Sequence, residues 1–117
     1  METVEKSRYI PFAEYVKNKN PQTSKIKRKL LKEGIKKHEC ECCHNTMWNG
    51  LPIVLEVHHQ DGNRKNNELS NLQLLCPNCH AIIDALKIRI QLLQNRDPVG
   101  NMRIINKLKR RVRAMEK

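Results

Sequence analysis

The chain has 117 residues, enough for one domain, but only one Trp, one Phe and two Tyr, so a bound metal would help to stabilise its small core. The formal net charge is +11, distributed as +6 over residues 1–39, −3 over 40–84 and +8 over 85–117. This excess of Lys and Arg favours a nucleic-acid partner over a merely soluble basic surface.

Membrane insertion and secretion are not expected. No apolar run approaches the roughly 18 residues of a membrane span, and the first 20 residues are too polar for a signal peptide. We therefore expect a cytoplasmic protein with no membrane partner. In a reducing compartment its five cysteines are not expected to form disulfides.

Residues 1–37 form a basic segment in which two helices are predicted. The stretch FAEYVKNKNP favours a short helix that ends before Pro21. The stretch TSKIKRKLLKEG favours a longer one, with Thr23 or Ser24 as N-cap and Gly34 at its end. One face of this helix is apolar, with Ile26, Leu30 and Leu31. The opposite face carries lysines and an arginine, which can either lie in solvent or contact DNA.

Residues 38–95 form the Cys/His-rich centre. Asn49-Gly50 predicts a turn between two short extended runs, and IVLEVHH predicts a strand. Side chains alternate along a strand, so His58 and His59 are expected on opposite faces. QDGNRKNNELSN predicts a loop, and a helix is expected after CPNCH through AIIDALKIRIQLLQ. Its apolar positions are Ile82, Ile83, Leu86, Ile90 and Leu93.

Residues 96–117 form a basic tail. Asp97-Pro98 and Gly100 interrupt the chain, and MRIINKLKRRVRAMEK can form a basic amphipathic helix. Such a helix can bind DNA, or it can pair with a protein partner or a second copy of the chain to make a homodimer. Its apolar side consists of Ile105, Leu108, Val112 and Met115.

Two C-x-x-C pairs predict a structural zinc site with four thiolate ligands: Cys40, Cys43, Cys76 and Cys79. Four protein ligands leave zinc no open position, and its binding free energy would become folding free energy. Cys42 is interpreted as a spare thiol, although it could compete with Cys43, and His44 lies nearby.

A second set of polar residues suggests a catalytic metal site. His80 and Asp84 are four residues apart and share a face of the predicted helix, so His58, His80 and Asp84 can supply two nitrogens and an oxygen to a divalent ion. His59 is then free to act as a base, and Asn71 could brace the loop that carries His59 or could simply cap the short segment NLQLLC. Asp84 could instead cap the helix or pair with a neighbouring Lys or Arg.

The stretches CECCHNTMWNG, LEVHHQDGN and NNELSNLQLLCPNCHAIID resemble the HNH endonuclease family, in particular its zinc-containing branch. The resemblance covers about residues 38–86. It implies an α+β fold with a ββα-metal core, here flanked by basic helices. Small HNH nucleases of this kind occur in phage, homing and restriction systems, so the implied location is the cytoplasm of a bacterium or a phage-infected host cell.

The resemblance also implies residue roles. His59 corresponds to the general base, and Asn71 to the central Asn that positions the loop. His58 corresponds to the first metal ligand, where many relatives have Asp, and His80 to the final histidine ligand. Asp84 falls where some members place an additional ligand.

The expected activity is hydrolysis of DNA phosphodiester bonds, by nicking or cleavage, with Mg²⁺, Mn²⁺ or another divalent ion at the catalytic site and Zn²⁺ at the structural site. The alternative is a non-catalytic zinc-ribbon module that only binds nucleic acid. The basic flanks and the four cysteines fit that alternative equally well.

Overall fold

The computed structural model describes residues 8–116, which form an α+β protein with four α-helices and two small antiparallel sheets. The chain divides into two compact units, Met1–His38 and Glu39–Lys117. The predicted mixed α+β class is therefore confirmed. The expected centre and tail, residues 38–95 and 96–117, lie almost entirely in the second unit.

The first unit contains two helices, α1 at Phe12–Tyr15 and α2 at Thr23–Lys32. Ile26 and Leu30 are fully buried on the apolar face of α2, whereas Leu31, which was expected on the same face, is only half-buried. The predicted cap is wrong, because Gln22 occupies the N-cap position and no side chain there bonds the first turn.

After α2 the chain turns at Gly34, whose φ of 71° lies in the left-handed region that favours glycine. Just before it, the carboxylate of Glu33 accepts hydrogen bonds from the Tyr9 hydroxyl and the Phe12 backbone N–H, both at 2.7 Å. These bonds tie the end of α2 to the start of α1.

The second unit opens with a β-hairpin of two short strands, β1 at Met47–Trp48 and β2 at Leu51–Pro52. The predicted turn is confirmed: Asn49 and Gly50 have positive φ angles of 54° and 82°. Positive φ at both central residues is the signature of a type I′ hairpin turn.

The second sheet pairs β3, at Glu56–His59, with β4, at Leu72–Leu75, in antiparallel register. The predicted strand is thus confirmed over its last four residues. A 3₁₀ turn at Leu69–Asn71 leads into β4, which is buried along its whole length. His58 lies opposite Gln73 in this sheet, and His59 lies opposite Leu72.

Two long helices complete the second unit, α3 at Pro77–Arg96 and α4 at Met102–Met115. Helix α3 begins earlier than expected, so Cys79 and His80 lie in its first turns rather than before it. Proline suits this first position because its missing N–H would have no intrahelical partner there. Within residues 8–116, no helix is both long and apolar enough to cross a membrane.

Helices α3 and α4 pack against each other through buried apolar side chains. Ile83 and Ile90 of α3 are buried, whereas Ile82 is 47% exposed and does not belong to this face. Ile105 and Val112 of α4 are also buried. The tail helix therefore covers the second unit with the same apolar side that was available for pairing with another chain.

Candidate active site

Four cysteines converge where the loop before β1 meets the start of α3. Their sulfur atoms lie within 4.8 Å of one another: Cys40, Cys43, Cys76 and Cys79. The Sγ atoms of Cys43 and Cys76 are 3.9 Å apart. Thiolates bound to tetrahedral zinc at about 2.3 Å would be roughly 3.8 Å apart, so the thiol set fits a zinc ion. Cys42 is not part of this group.

The thiols of this cluster differ in acidity. Burial would raise the pKa of Cys40, but hydrogen bonds from the backbone N–H groups of Cys43, Cys76 and Cys42 outweigh it and lower that pKa from 9.0 to about 6. Burial raises the pKa of Cys43 and of Cys79. Hydrogen bonds with neighbouring thiols add to the rise at Cys79, whereas at Cys43 the bond with Cys40 raises the pKa and those with Asn45 and Cys79 lower it. Cys40 therefore ionises before Cys43 and Cys79, and a metal must displace the protons of those two thiols.

A second metal-ligand group lies between β3 and the start of α3. One ligand atom each from His58, His80 and Asp84 lies within 4.8 Å of the others. Nε2 of His80 is 3.6 Å from the carboxylate of Asp84, four residues later. The imidazole rings of His58 and His80 pack edge to face, with their centroids 5.1 Å apart.

This group fits a divalent ion by its donor chemistry. Donor atoms bound at about 2.1 Å lie within roughly 4.2 Å of one another, so only small side-chain shifts would be needed. Imidazole and carboxylate together suit several divalent metals. The three residues leave further coordination positions for oxygen ligands.

Each histidine of this group also has a carboxylate partner that the sequence analysis missed. Nδ1 of His80 lies 2.7 Å from the carboxylate of Glu56, on β3. Nε2 of His58 lies 2.6 Å from the carboxylate of Glu116, which follows α4. Alternation along β3 puts Glu56 on the same side as His58, a signal available in the sequence. Only the packing of α4 brings Glu116 to His58.

The neighbouring histidine has a different partner. Nε2 of His59 lies 2.8 Å from Oδ1 of Asn67, in the loop between β3 and β4. The two histidines were expected on opposite faces, one of them turned away from the core. In fact both are buried, His58 at 4% and His59 at 7% exposure, because the loop covers the second face.

Asn71 holds that loop together. Its amide nitrogen donates to the Asp61 carboxylate at 3.0 Å and to the Asn66 carbonyl at 2.8 Å, and its Oδ1 accepts from the Asp61 backbone N–H at 3.0 Å. Hydrogen bonds from Asn66, from the Asn63 backbone and from Asn71 lower the pKa of Asp61 below its ordinary value. Asn71 thus contacts the loop that carries Asn67 rather than His59 itself.

The surface of the second unit is strongly basic along α4. Six of its Lys and Arg side chains are exposed to solvent: Arg103, Lys107, Lys109, Arg110, Arg111 and Arg113. In the first unit, α2 exposes Lys25, Arg28 and Lys32. Clustered cations of this kind are typical of surfaces that contact nucleic-acid phosphates.

A curated relative, H-N-H endonuclease F-TflIV of Escherichia phage T5, is 51% identical to this chain over 77 residues. The similarity covers 65% of this chain and 34% of the relative, so the chain spans about a third of that relative's length. No family model and no solved structure matches the chain. This identity agrees with the resemblance to HNH endonucleases that the sequence indicated: over 77 residues the chain is similar to a phage protein of that name.

Proposed function

We propose that the chain is a metal-dependent HNH endonuclease that hydrolyses phosphodiester bonds in DNA. The observation that carries the proposal is that the adjacent histidines His58 and His59 have different partners. His58 belongs to a group with the donor set of a divalent metal site. His59 has no place in that group and is held instead by Asn67. A metal site beside an oriented imidazole can supply both a charged group for the phosphate and a base for the attacking water, as phosphodiester hydrolysis can use them.

The proposed fold of the catalytic part is the ββα-metal core, made of β3, β4 and α3. His58 and His59 lie at the end of β3, and His80 and Asp84 lie in the first two turns of α3. The proposed zinc ion would join the start of α3 to the loop at Cys40 and Cys43. It would thereby fix the end of α3 that carries His80.

In the proposed mechanism His59 takes a proton from the attacking water. Its Nε2 donates to Asn67, which leaves Nδ1 with the lone pair that accepts this proton. His58, His80 and Asp84 would hold the catalytic ion. When bound, Mg²⁺, Mn²⁺ or a similar ion supplies positive charge to the scissile phosphate and to the leaving 3′-oxygen. The resulting hydroxide forms a bond to phosphorus, the P–O3′ bond breaks, and the leaving 3′-oxygen takes a proton from water, so the expected products carry a 5′-phosphate and a 3′-hydroxyl.

The proposed substrate is DNA, bound through its phosphates by the exposed cations of α2 and α4. The cytoplasm of a bacterium or of a phage-infected cell is where such a substrate would be met. The phage origin of the curated relative agrees with that location.

The alternative proposal is a zinc-ribbon module that binds nucleic acid without cleaving it. The cysteine group and the basic helices support it. A module that only binds nucleic acid does not explain the group of His58, His80 and Asp84 or the buried hydrogen bond between His59 and Asn67. We therefore prefer the nuclease.

Cleavage of supercoiled plasmid in the presence of different divalent ions separates the two proposals. The nuclease predicts metal-dependent nicked or linear products that disappear with EDTA. Since EDTA can also remove zinc, Asp84→Asn serves as a matched variant: it should keep its zinc and its DNA binding but need more Mg²⁺ or Mn²⁺. Plasmid binding without cleavage under every metal would favour the non-catalytic module.

A further inference from the structure

The last turn of α4 is fixed beside the proposed metal site by two glutamines, one directly after β3 and one in β4. Gln60 donates from its amide to the Glu116 carbonyl at 2.7 Å, and Gln73 donates to the Met115 carbonyl at 3.1 Å. The carbonyls at the end of a helix have no intrahelical partner, so these bonds satisfy groups that otherwise need water. Gln73 itself is 1% exposed, and its bond to Met115 is partly buried.

The Glu116 side chain is fixed as well. Its carboxylate accepts from the Lys87 ammonium group at 2.8 Å and contacts Nε2 of His58 at 2.6 Å. Lys87 also donates to the Gln60 carbonyl at 2.8 Å. The Glu116 side chain is only 15% exposed. Helix α4, strand β3 and helix α3 thus meet at one carboxylate.

We propose that Glu116 is a positioning residue that orients His58 for binding the catalytic ion. Metal-binding histidines commonly donate their second ring N–H to a carboxylate, which fixes the tautomer and makes the other nitrogen a better ligand. With Nε2 of His58 donating to Glu116, Nδ1 is left with the free lone pair. The inference rests on the proposed function, because it takes His58 as a metal ligand.

Two further observations support this role. Glu116 is outside the ligand group formed by His58, His80 and Asp84, and it contacts Nε2 of His58. His80 has an equivalent carboxylate in Glu56, bound to Nδ1, while its Nε2 faces Asp84. Both histidines would therefore be held in the same manner, one from within β3 and one from α4.

The negative end of the helix adds to the effect. The C-terminal turn of an α-helix carries partial negative charge on its carbonyls, which favours cations nearby. Helix α4 ends at Met115, and the next residue, Glu116, contacts His58. Its exposed cations lie along the helix, whereas its C-terminal turn supplies a carboxylate and two carbonyls. One helix would thus serve both DNA binding and the metal site.

The test is calorimetric titration of Mn²⁺ into the zinc-loaded protein, comparing wild type with Glu116→Gln, His58→Ala and Glu14→Gln. Glu116→Gln should weaken Mn²⁺ binding by about 10- to 100-fold at unchanged zinc content. Glu14→Gln removes an exposed carboxylate in the first unit and should bind Mn²⁺ like wild type. Unchanged Mn²⁺ affinity in Glu116→Gln, with weakened binding in His58→Ala, would overturn the inference and leave the proposed function standing. Unchanged affinity in both would remove the ligand role of His58, and the inference with it.

Nitrogen–proton NMR spectra of the imidazoles provide a readout that a merely structural Glu116 would not change. Wild-type His58 should carry its proton on Nε2, and Glu116→Gln should populate both tautomers. If the salt bridge between Glu116 and Lys87 only stabilised the fold, its loss in Glu116→Gln would lower the unfolding temperature without changing the ratio of the two His58 tautomers. If the variant does not fold, the wild-type spectrum decides, because a proton on Nδ1 of His58 overturns the inference.

Discussion

Nε2 of His59 and Oδ1 of Asn67 are 2.8 Å apart, and both side chains are buried. An amide oxygen can only accept, so this bond places the imidazole proton on Nε2 and leaves Nδ1 basic. A buried acceptor that lost its donor would cost free energy, which keeps the ring in this orientation. The proposed general base is therefore positioned by the loop between β3 and β4.

Replacement of Asn67 should impair the chemical step rather than substrate binding. Asn67→Ala removes the acceptor and frees the His59 ring, and small misplacements of a reacting group can cost up to about 100-fold in rate. We expect kcat on plasmid DNA to fall by roughly 10- to 100-fold with little change in KM. Asn106→Ala, an exposed position of α4, is the matched control. Equal kcat for both variants would contradict a positioning role for Asn67.

The proposed zinc ion makes a prediction about thiol reactivity. Cys43 is more exposed than Cys42, so exposure alone predicts that an alkylating reagent modifies Cys43 first. Zinc would protect Cys43 and leave Cys42 as the reactive thiol. Mass spectrometry of the zinc-loaded protein after brief alkylation should find one adduct, on Cys42. Cys42→Ser should abolish the adduct and keep the zinc, whereas adducts on Cys43 in zinc-loaded protein would argue against the four-thiolate site.

Phosphate contacts by α4 should appear in the salt dependence of DNA binding. Arg103, Lys107 and Arg110 are exposed and follow one face of the helix. Each lost phosphate contact reduces the slope of log affinity against log salt by about 1, so the triple Gln variant should reduce it by about 3. Lys17→Gln with Lys19→Gln, before α2, is the comparison. A slope unchanged in the α4 variant would show that this helix does not contact DNA.

Patterns within single elements were predictable from the sequence. The Asn49-Gly50 hairpin, the strand ending in His58 and His59, and the apolar faces of the helices depend on local propensity and periodicity. Both ligand groups were also expected, since C-x-x-C pairs and an i, i+4 pair on a helix fix local geometry. In the structure the potential ligand atoms of each group lie within 4.8 Å of one another.

Contacts between distant elements were not predictable where no metal-ligand pattern linked them. Glu116 is 58 residues from His58, and only the packing of α4 on the second unit joins them. Asn67 lies in an Asn-rich loop where several amides could have reached His59. The N-cap prediction for α2 was wrong for a local reason. The helix already includes Thr23, and Gln22 occupies the N-cap position without a side-chain hydrogen bond.

The most direct measurement of the central claim compares His59→Ala with wild type in metal-dependent plasmid cleavage, with zinc content and DNA affinity measured on the same samples. A positioned histidine base contributes typically about 10²- to 10⁴-fold, so cleavage should fall by that factor while zinc and DNA binding stay unchanged. Cleavage near the wild-type rate would contradict the assignment of His59 as the general base.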